Sequence, residues 1–396
     1  MKILHLIHSV SPAVGGPIEG IKQLAIAKTM MGWKIEVACL DSPDAPWLKG
    51  FPLKIHALGP SYLSYGYSPK LVPWLEAHCR EYAFVVVNGI WQFSSFGAWR
   101  VLRKAGIPYF VFTHGMLDPW FKHHYPLKHL KKWLYWPWAE YRVLRDASAV
   151  LFTCLQEKLL ARESFWLYRC NEAVVSYGTA GWKGDAAVQK QLFLEKFPHL
   201  VGKRLVLFLG RVHEKKGCDL LIEAFHRFVS EAPESAFHLV MAGPWDNPFG
   251  RKLKKRVEHL GMEERVTWTG MLEGDAKWGA FQASDVFILP SHQENFGISV
   301  AESLSASLPV LISDKVNIWR EIKEAHAGLV ENDDLQGTYS LLKRWACLGD
   351  QEREEKRKIA RRCFLENFEI TGAAQSLINV YTESLAKAGV CVDWGK

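Results

Sequence analysis

Short apolar runs rich in β-branched residues alternate with longer amphipathic stretches along this whole chain, and that rhythm constrains the fold more than any other feature. KILHLI, KIEVACL, FVVVNGI, YFVFTHG, AVLFT and AVVSYG are candidate strands in the first half; RLVLFLG, FHLVMAG, VTWTG, VFILPS, PVLIS and AGLV are their counterparts in the second. Between them lie segments such as IEGIKQLAIAKTMMG and DLLIEAFHRFVSEA, whose apolar residues recur at helical spacing. Strands that are apolar on both faces and alternate with helices call for parallel sheets covered on both sides. The expected class is therefore α/β, with doubly wound sheets. The series restarts after Tyr177, where GTAGWKGDAAVQKQLF is Gly-rich and carries no strand, so the linker is placed there. At 396 residues the chain exceeds one ordinary core, and two domains are expected, 1–178 and 179–374. Doubly wound folds bind ligands at the carboxyl ends of their strands. The active site is accordingly expected in a cleft between the two domains. The tail from about Gln351 to Ala388 reads as a charged and then an amphipathic helix.

Composition excludes several classes. With 48% hydrophobic and 23% charged residues and no Pro-, Gly- or Ser-rich tract, both halves should fold. A net charge of +7 suits anionic ligands or a membrane surface without demanding nucleic acid, and no motif that reads RNA or DNA is present. The eight cysteines are scattered without a C-x-x-C pair and read as reduced thiols of a cytoplasmic protein. MKILHLIHSV is too short and too broken by His5 and His8 for a signal peptide, and no stretch approaches the ~18 apolar residues of a spanning helix.

Two strand-loop-helix segments carry the chemistry. In LVLFLGRVHEKKGCDLLIEAF a strand ends in a Gly turn followed by Arg211, Lys215, Lys216 and Gly217. Two cations at a strand's carboxyl end suit a diphosphate, although solvated side chains in a βα loop would read the same way. SDVFILPSHQENFGISVAESL repeats the layout, with Glu294 on the loop and Glu302 eight positions later inside the helix. Helix N-termini attract phosphate, and Gly297 lets one approach the amides closely. Two carboxylates there would repel phosphate but can accept from hydroxyls. A sugar nucleotide supplies hydroxyls on its sugar and its ribose, with the diphosphate between. Ser299 with Glu302 also fits an S-x-x-E capping box, in which the Glu only satisfies a backbone N–H; Glu294 has no such local explanation.

The first half offers less. Gly15 and Gly16 follow the first strand without the G-x-G-x-x-G spacing, and only Asp41 stands near the end of the second strand. YFVFTHGMLDPW puts His114 on a strand-end loop, where binding groups tend to lie. His123, His124 and His129 form a cluster, but no Cys or nearby carboxylate supports a metal, and no D-x-D pair is present. No metal and no cofactor are expected, the nucleotide sugar being a substrate.

In combination, Gly15-Gly16, GRVHEKKGCDLLIEAF, LVMAGPW, VTWTGML and the E-x7-E of ENFGISVAE resemble the family 4 retaining glycosyltransferases, which have the GT-B fold of two Rossmann-like domains. The resemblance spans nearly the whole chain and is most specific in the C-terminal half. It implies that Arg211 and Lys216 grip the donor diphosphate, that Glu294 contacts the donor sugar and Glu302 the ribose, and that the amides of Asn295, Phe296, Gly297 and Ile298 face sugar and phosphate. Met271 and Leu272 would flank the base, His114 would lie close to the transferred sugar, and Gly16, beside Gly15, near the phosphate. The last helix, about 375–396, would cross back to the N-terminal, acceptor-side domain. VSYGTAG replaces the family's usual Pro-Asn-Gly turn, and ASLP its Ala-x-Gly-x-Pro. THGMLDPW followed by an aromatic and basic helix is similar to bacterial exopolysaccharide transferases, cyanobacterial ones included.

The expected activity is metal-independent transfer of a hexose, with UDP-glucose the donor by analogy, to a saccharide or lipid-linked saccharide acceptor with retention. The other readings are a GT-B epimerase and a non-catalytic nucleotide-sugar binding module. Phe121 to Arg145 holds six Lys or Arg against one Glu, interleaved with seven aromatics, which suits the inner face of a membrane. The helical spacing of Leu130, Leu134, Trp138 and Tyr141 equally fits a helix packed inward with its charges in water.

Overall fold

The computed structural model describes residues 1–12, 17–18, 20–22, 25, 32–124, 126–387 and 389. The chain forms two units, one holding Met1–Gly178 and the chain's end from Ile370, the other Thr179–Glu369. The first unit is built on seven parallel strands: β1 (Lys2–Ile7), β2 (Lys34–Cys39), β3 (Lys54–Ala57), β4 (Phe84–Asn88), β5 (Tyr109–Phe112), β6 (Ala149–Phe152) and β7 (Glu172–Val174), in the order 3-2-1-4-5-6-7. The second has six: β8 (Arg204–Leu209), β9 (Phe237–Ala242), β10 (Val266–Gly270), β11 (Val286–Leu289), β12 (Val310–Ser313) and β13 (Gly328–Glu331), in the order 10-9-8-11-12-13.

The central strands are continuous apolar runs because helices cover both faces. Val85, Val86 and Val87 of β4 are all 0% exposed, and each such side chain contributes on the order of 1.5–3 kcal/mol. In both units the order reverses beside the first strand, between β1 and β4 and between β8 and β11. Loops leaving these neighbouring strands diverge to opposite faces, which opens the crevice where doubly wound sheets bind ligands.

Every strand expected from the sequence is present, and β3 is one more. It lies at the sheet edge, its four residues KIHA are only half-buried or exposed, and it lacks the continuous apolar run that marks its neighbours. Lys54 and His56 on it reach the buried carboxylate of Glu36, which Tyr82 also meets. The Gly-rich linker stretch is in part regular: Ala186–Lys196 is a helix capped by Asp185, which accepts from the backbone N–H of Ala187 (2.8 Å) and Val188 (3.1 Å). The chain's last described helix, Ile370–Lys387, packs in the first unit, where Tyr381 stands between Phe84 and Phe110 at ring distances of 4.6 and 4.5 Å. Among the described residues no helix is long and apolar enough to cross a membrane.

Candidate active site

In the second unit the loops after β8 and β11 meet at the point where the strand order reverses. Gly217 allows it: its φ is 62°, and a Cβ there would fall 2.0 Å from the carbonyl oxygen of Pro290. Any other residue would push the two loops apart. The Lys215 carbonyl accepts from Ser291 Oγ (2.7 Å) and from the His292 N–H (2.8 Å), which locks one loop to the other. Lys216 is thereby carried to Glu294, and the two form an ion pair. Burial, with Lys215 and Arg211 alongside, pushes the Lys216 ammonium down to about 8. Arg211 is exposed, one residue past the end of the strand's Gly turn.

Glu294 is fixed from the other side as well. Its N–H donates to the Lys315 carbonyl and its carbonyl accepts from the Asn317 N–H, both at 3.0 Å, tying the loop to the segment after β12. Gly297, at φ 75°, is the N-cap of the helix Ile298–Ser305, and no side chain caps that helix. The capping-box explanation of Glu302 is thus overturned, because Ser299 lies inside the helix and the Glu302 carboxylate accepts from Lys277 Nζ at 2.6 Å instead. Asn295 is half-buried, whereas the Phe296 side chain is buried against Phe368 at a ring distance of 5.8 Å. Phe296 therefore has a packing role for its side chain. After β10, Met271 is 62% exposed and Leu272 only 6%.

In the first unit His114 follows β5 in a left-handed conformation, φ 47°. Its ring stacks on Phe112 at 5.3 Å, and Nε2 lies 3.3 Å from Asn88 Oδ1. The Asn88 amide nitrogen donates to the Val86 carbonyl at 3.1 Å, which assigns Oδ1 as the acceptor and Nε2–H as the donor. Burial lowers His114 to about 4, so the imidazole is neutral and Nδ1 keeps its lone pair. Asp41 serves the turn after β1, accepting from Ser9 Oγ and the Val10 N–H, both at 2.7 Å. Gly15 and Gly16 lie outside the described residues.

Two family descriptions match this chain in tandem: residues 15–178 match the glycosyl transferase 4-like domain, and residues 189–362 match the glycosyl transferases group 1. The chain is a family 4 glycosyltransferase of the GT-B type. Its two Rossmann-like units agree with solved glycosyltransferase structures. Sucrose-phosphate synthase from Thermosynechococcus elongatus superposes with a TM-score of 0.78 over 98% of this chain and 99% of that one, at 19% identity. HepE from Anabaena, in complex with UDP-glucose, gives 0.76 over 97% and 100%, at 17% identity. At such identities the likeness is one of fold. Among curated relatives, mannosylfructose-phosphate synthase of Agrobacterium fabrum is 31% identical over 123 residues, 30% of this chain and 27% of that protein. D-inositol 3-phosphate glycosyltransferase of Nocardia farcinica is 26% identical over 201 residues, 48% and 44%. The chain therefore spans less than half the length of each of these relatives.

In this glycosyltransferase the loops at the reversal of the second sheet bring Lys216 and Glu294 together, while Arg211 stays in water. Sequence reasoning assigned Lys216 and Glu294 to different parts of a ligand and did not foresee that they pair. It also missed Asn88, Ser291 and Lys277. The Asn at the end of the otherwise apolar FVVVNGI was a readable signal for the first. Lys277 sits among ordinary helix residues and carried none.

The basic and aromatic stretch differs from the inward-packed alternative. The helix Pro126–Tyr135 has no buried residue, and Leu130, Leu134 and Trp138 are 55%, 60% and 55% exposed. Only Tyr141 packs inward, on Trp136. The candidate histidine cluster disperses into ring stacks, His124 on Trp120 at 3.9 Å and His129 on Phe165 at 4.8 Å; the side chain of His123 lies outside those described. Among the described residues no group of three His, Cys, Asp or Glu could hold a metal ion.

Proposed function

We propose that the protein transfers a hexose from a nucleotide diphosphate sugar to a hydroxyl of a saccharide or lipid-linked saccharide acceptor, with retention at the anomeric carbon, in polysaccharide synthesis. The observation that carries this reading is the Lys216–Glu294 pair beside Gly297 and the start of the helix Ile298–Ser305. It places a cation, a carboxylate and a set of helix N-terminal amides together where a doubly wound sheet binds ligands.

The roles follow from charge. Arg211, Lys216 and the amides of Asn295 to Ile298 take the charge that develops on the departing diphosphate, so the transfer needs no metal ion for that purpose. Glu294 accepts from sugar hydroxyls, and Glu302 from the ribose. Met271 and Leu272 flank the base. His114, a neutral group with a free Nδ1, contacts the transferred sugar. In the step itself a bond forms from the acceptor oxygen to the anomeric carbon while the bond from that carbon to the phosphate oxygen breaks on the same face. The acceptor's proton passes to the departing phosphate oxygen.

UDP-glucose is the first donor to try, since the Anabaena structural neighbour is found with it. The test is nucleotide release from a panel of UDP-, GDP- and ADP-sugars in excess EDTA, with and without glycoside acceptors. Release from one donor, raised by acceptor and insensitive to EDTA, is expected. Donor consumed equally without acceptor would replace transfer by hydrolysis or epimerisation. The exposed apolar and basic face around Pro126–Tyr135 supports action at the cytoplasmic surface of a membrane, where a lipid-linked acceptor resides.

A further inference from the structure

We propose that Glu157 is a positioning residue that sets the catalytic conformation of His114. Glu157 lies in the helix Leu155–Arg162 that follows β6 and is 3% exposed. Its Oε1 accepts from Thr113 Oγ1 and from the Gly115 N–H, both at 2.7 Å. Its Oε2 accepts from the Thr153 N–H at 2.7 Å and from Thr153 Oγ1 at 2.8 Å. One oxygen of a buried carboxylate thus binds both chain neighbours of His114.

That arrangement answers a question the backbone raises. A left-handed residue that carries a β-carbon costs about 1–3 kcal/mol and persists only where its surroundings over-determine it. A buried carboxylate is expensive unless its lone pairs are filled, and four charge-assisted hydrogen bonds fill them. Glu157 is the third residue of its own helix, so a purely structural role is to cap that helix through Thr153. Capping accounts for Oε2. It leaves Oε1 without a reason to reach across to a different strand's loop, and the tether on Thr113 and Gly115 supplies one.

This inference rests on the reading of His114 as a group at the transferred sugar, and the variants separate the two. Thr113→Val removes a bond on the His114 side, Thr153→Val one on the capping side. Glu157→Gln cannot accept at both oxygens, so a backbone N–H at Gly115 or Thr153 loses its partner. With the donor and acceptor that give turnover, Thr113→Val and Glu157→Gln are expected to lower kcat by about tenfold or more, as small displacements of a catalytic group do, with calorimetric affinity for the donor nucleotide unchanged. Thr153→Val should lower Tm and leave kcat alone. The ring resonances of His114 should shift in Thr113→Val and not in Thr153→Val, a reading independent of turnover. If kcat instead follows Tm across all three variants, or stays at the wild-type value in Thr113→Val and Glu157→Gln while His114→Ala is slow, the positioning role is wrong. Wild-type turnover in His114→Ala overturns the reading beneath it.

Discussion

Lys277 Nζ lies 2.6 Å from Glu302 Oε1, joining the helix Gly274–Ala283 after β10 to the helix Ile298–Ser305 after β11. The carboxylate is nearly buried, with a side-chain exposure of 7%. A hydrogen bond to a charged group contributes about 1.5–3 kcal/mol, a factor of about 10–100 in affinity. Glu302→Ala should therefore weaken UDP binding by about that factor in calorimetry and change kcat at saturating donor little. Unchanged UDP affinity would remove Glu302 from the ribose.

Much of this site is legible in the sequence because its parts sit at strand ends with punctuating glycines. Arg211, Lys216 and Glu294 stand between the end of an apolar strand and the next long helix, and Glu302 lies inside such a helix. What stays hidden depends on which strands are neighbours. Glu157 reaches the loop of His114 only because β6 lies beside β5, and Lys277 reaches Glu302 only because two helices from different crossovers meet; sequence separation contains neither fact. The edge strand β3 escapes for a different reason, since an edge needs no apolar run. The exposure of Leu130, Leu134 and Trp138 runs against their spacing, because a helical stripe specifies a face and not the element that covers it.

Arg211 and Glu294 should separate leaving-group stabilisation from sugar binding. Arg211 is exposed, so Arg211→Ala should leave Tm nearly unchanged while kcat drops by about 10²–10³, the usual cost of removing one preorganised charge-stabilising donor. Glu294→Ala should also abolish transfer but leave nucleotide affinity close to wild type, because UDP lacks the sugar. An Arg211→Ala enzyme with wild-type turnover would end that assignment, and lost UDP affinity in Glu294→Ala would move Glu294 to the nucleotide.

The face bearing Leu127, Leu130, Leu134 and Trp138 with Lys128 and Lys131 should bind anionic vesicles at low salt, each nearby cation adding about 1 kcal/mol. Lys128→Glu with Lys131→Glu should abolish co-sedimentation with phosphatidylglycerol vesicles without changing turnover on a soluble acceptor. Binding that is equal on neutral vesicles, or unaffected by the double change, would remove the electrostatic part of the reading.

Glu36 should dominate the acid limb of stability. Burial alone would raise its carboxyl, but hydrogen bonds from His56, Tyr82 and Lys54 and the charge of Lys2 overcome this and hold it at about 2. A carboxyl lowered in the fold stabilises above its unfolded value and loses that contribution as pH falls through the folded one. The window runs from about 4.5 down to about 2, and the contribution is on the order of 3 kcal/mol. Glu36→Gln should be less stable than wild type at neutral pH, with the gap closing across that window in urea titrations at stepped pH. A gap that stays constant with pH would mean that packing, not charge, sets the cost.

Glu140 should show the opposite sign. It is 0% exposed, and Oε1 accepts from the Trp91 N–H at 3.0 Å and Ser95 Oγ at 2.9 Å. Burial raises it to about 7, against the lowering effect of those bonds and of Lys132. Because the folded value lies above the unfolded one, the unfolded chain ionises first and stability is lost as pH rises from about 4.5 to about 7, beyond which both states are ionised. Glu140→Gln keeps an acceptor oxygen for Trp91 and Ser95 but cannot ionise. The variant should match wild type near pH 4 and exceed it above pH 7, by an amount on the order of 1–3 kcal/mol. Thermal melts at paired pH values decide this: a Glu140→Gln protein that is less stable than wild type at alkaline pH would show that the carboxylate is held charged by Lys132.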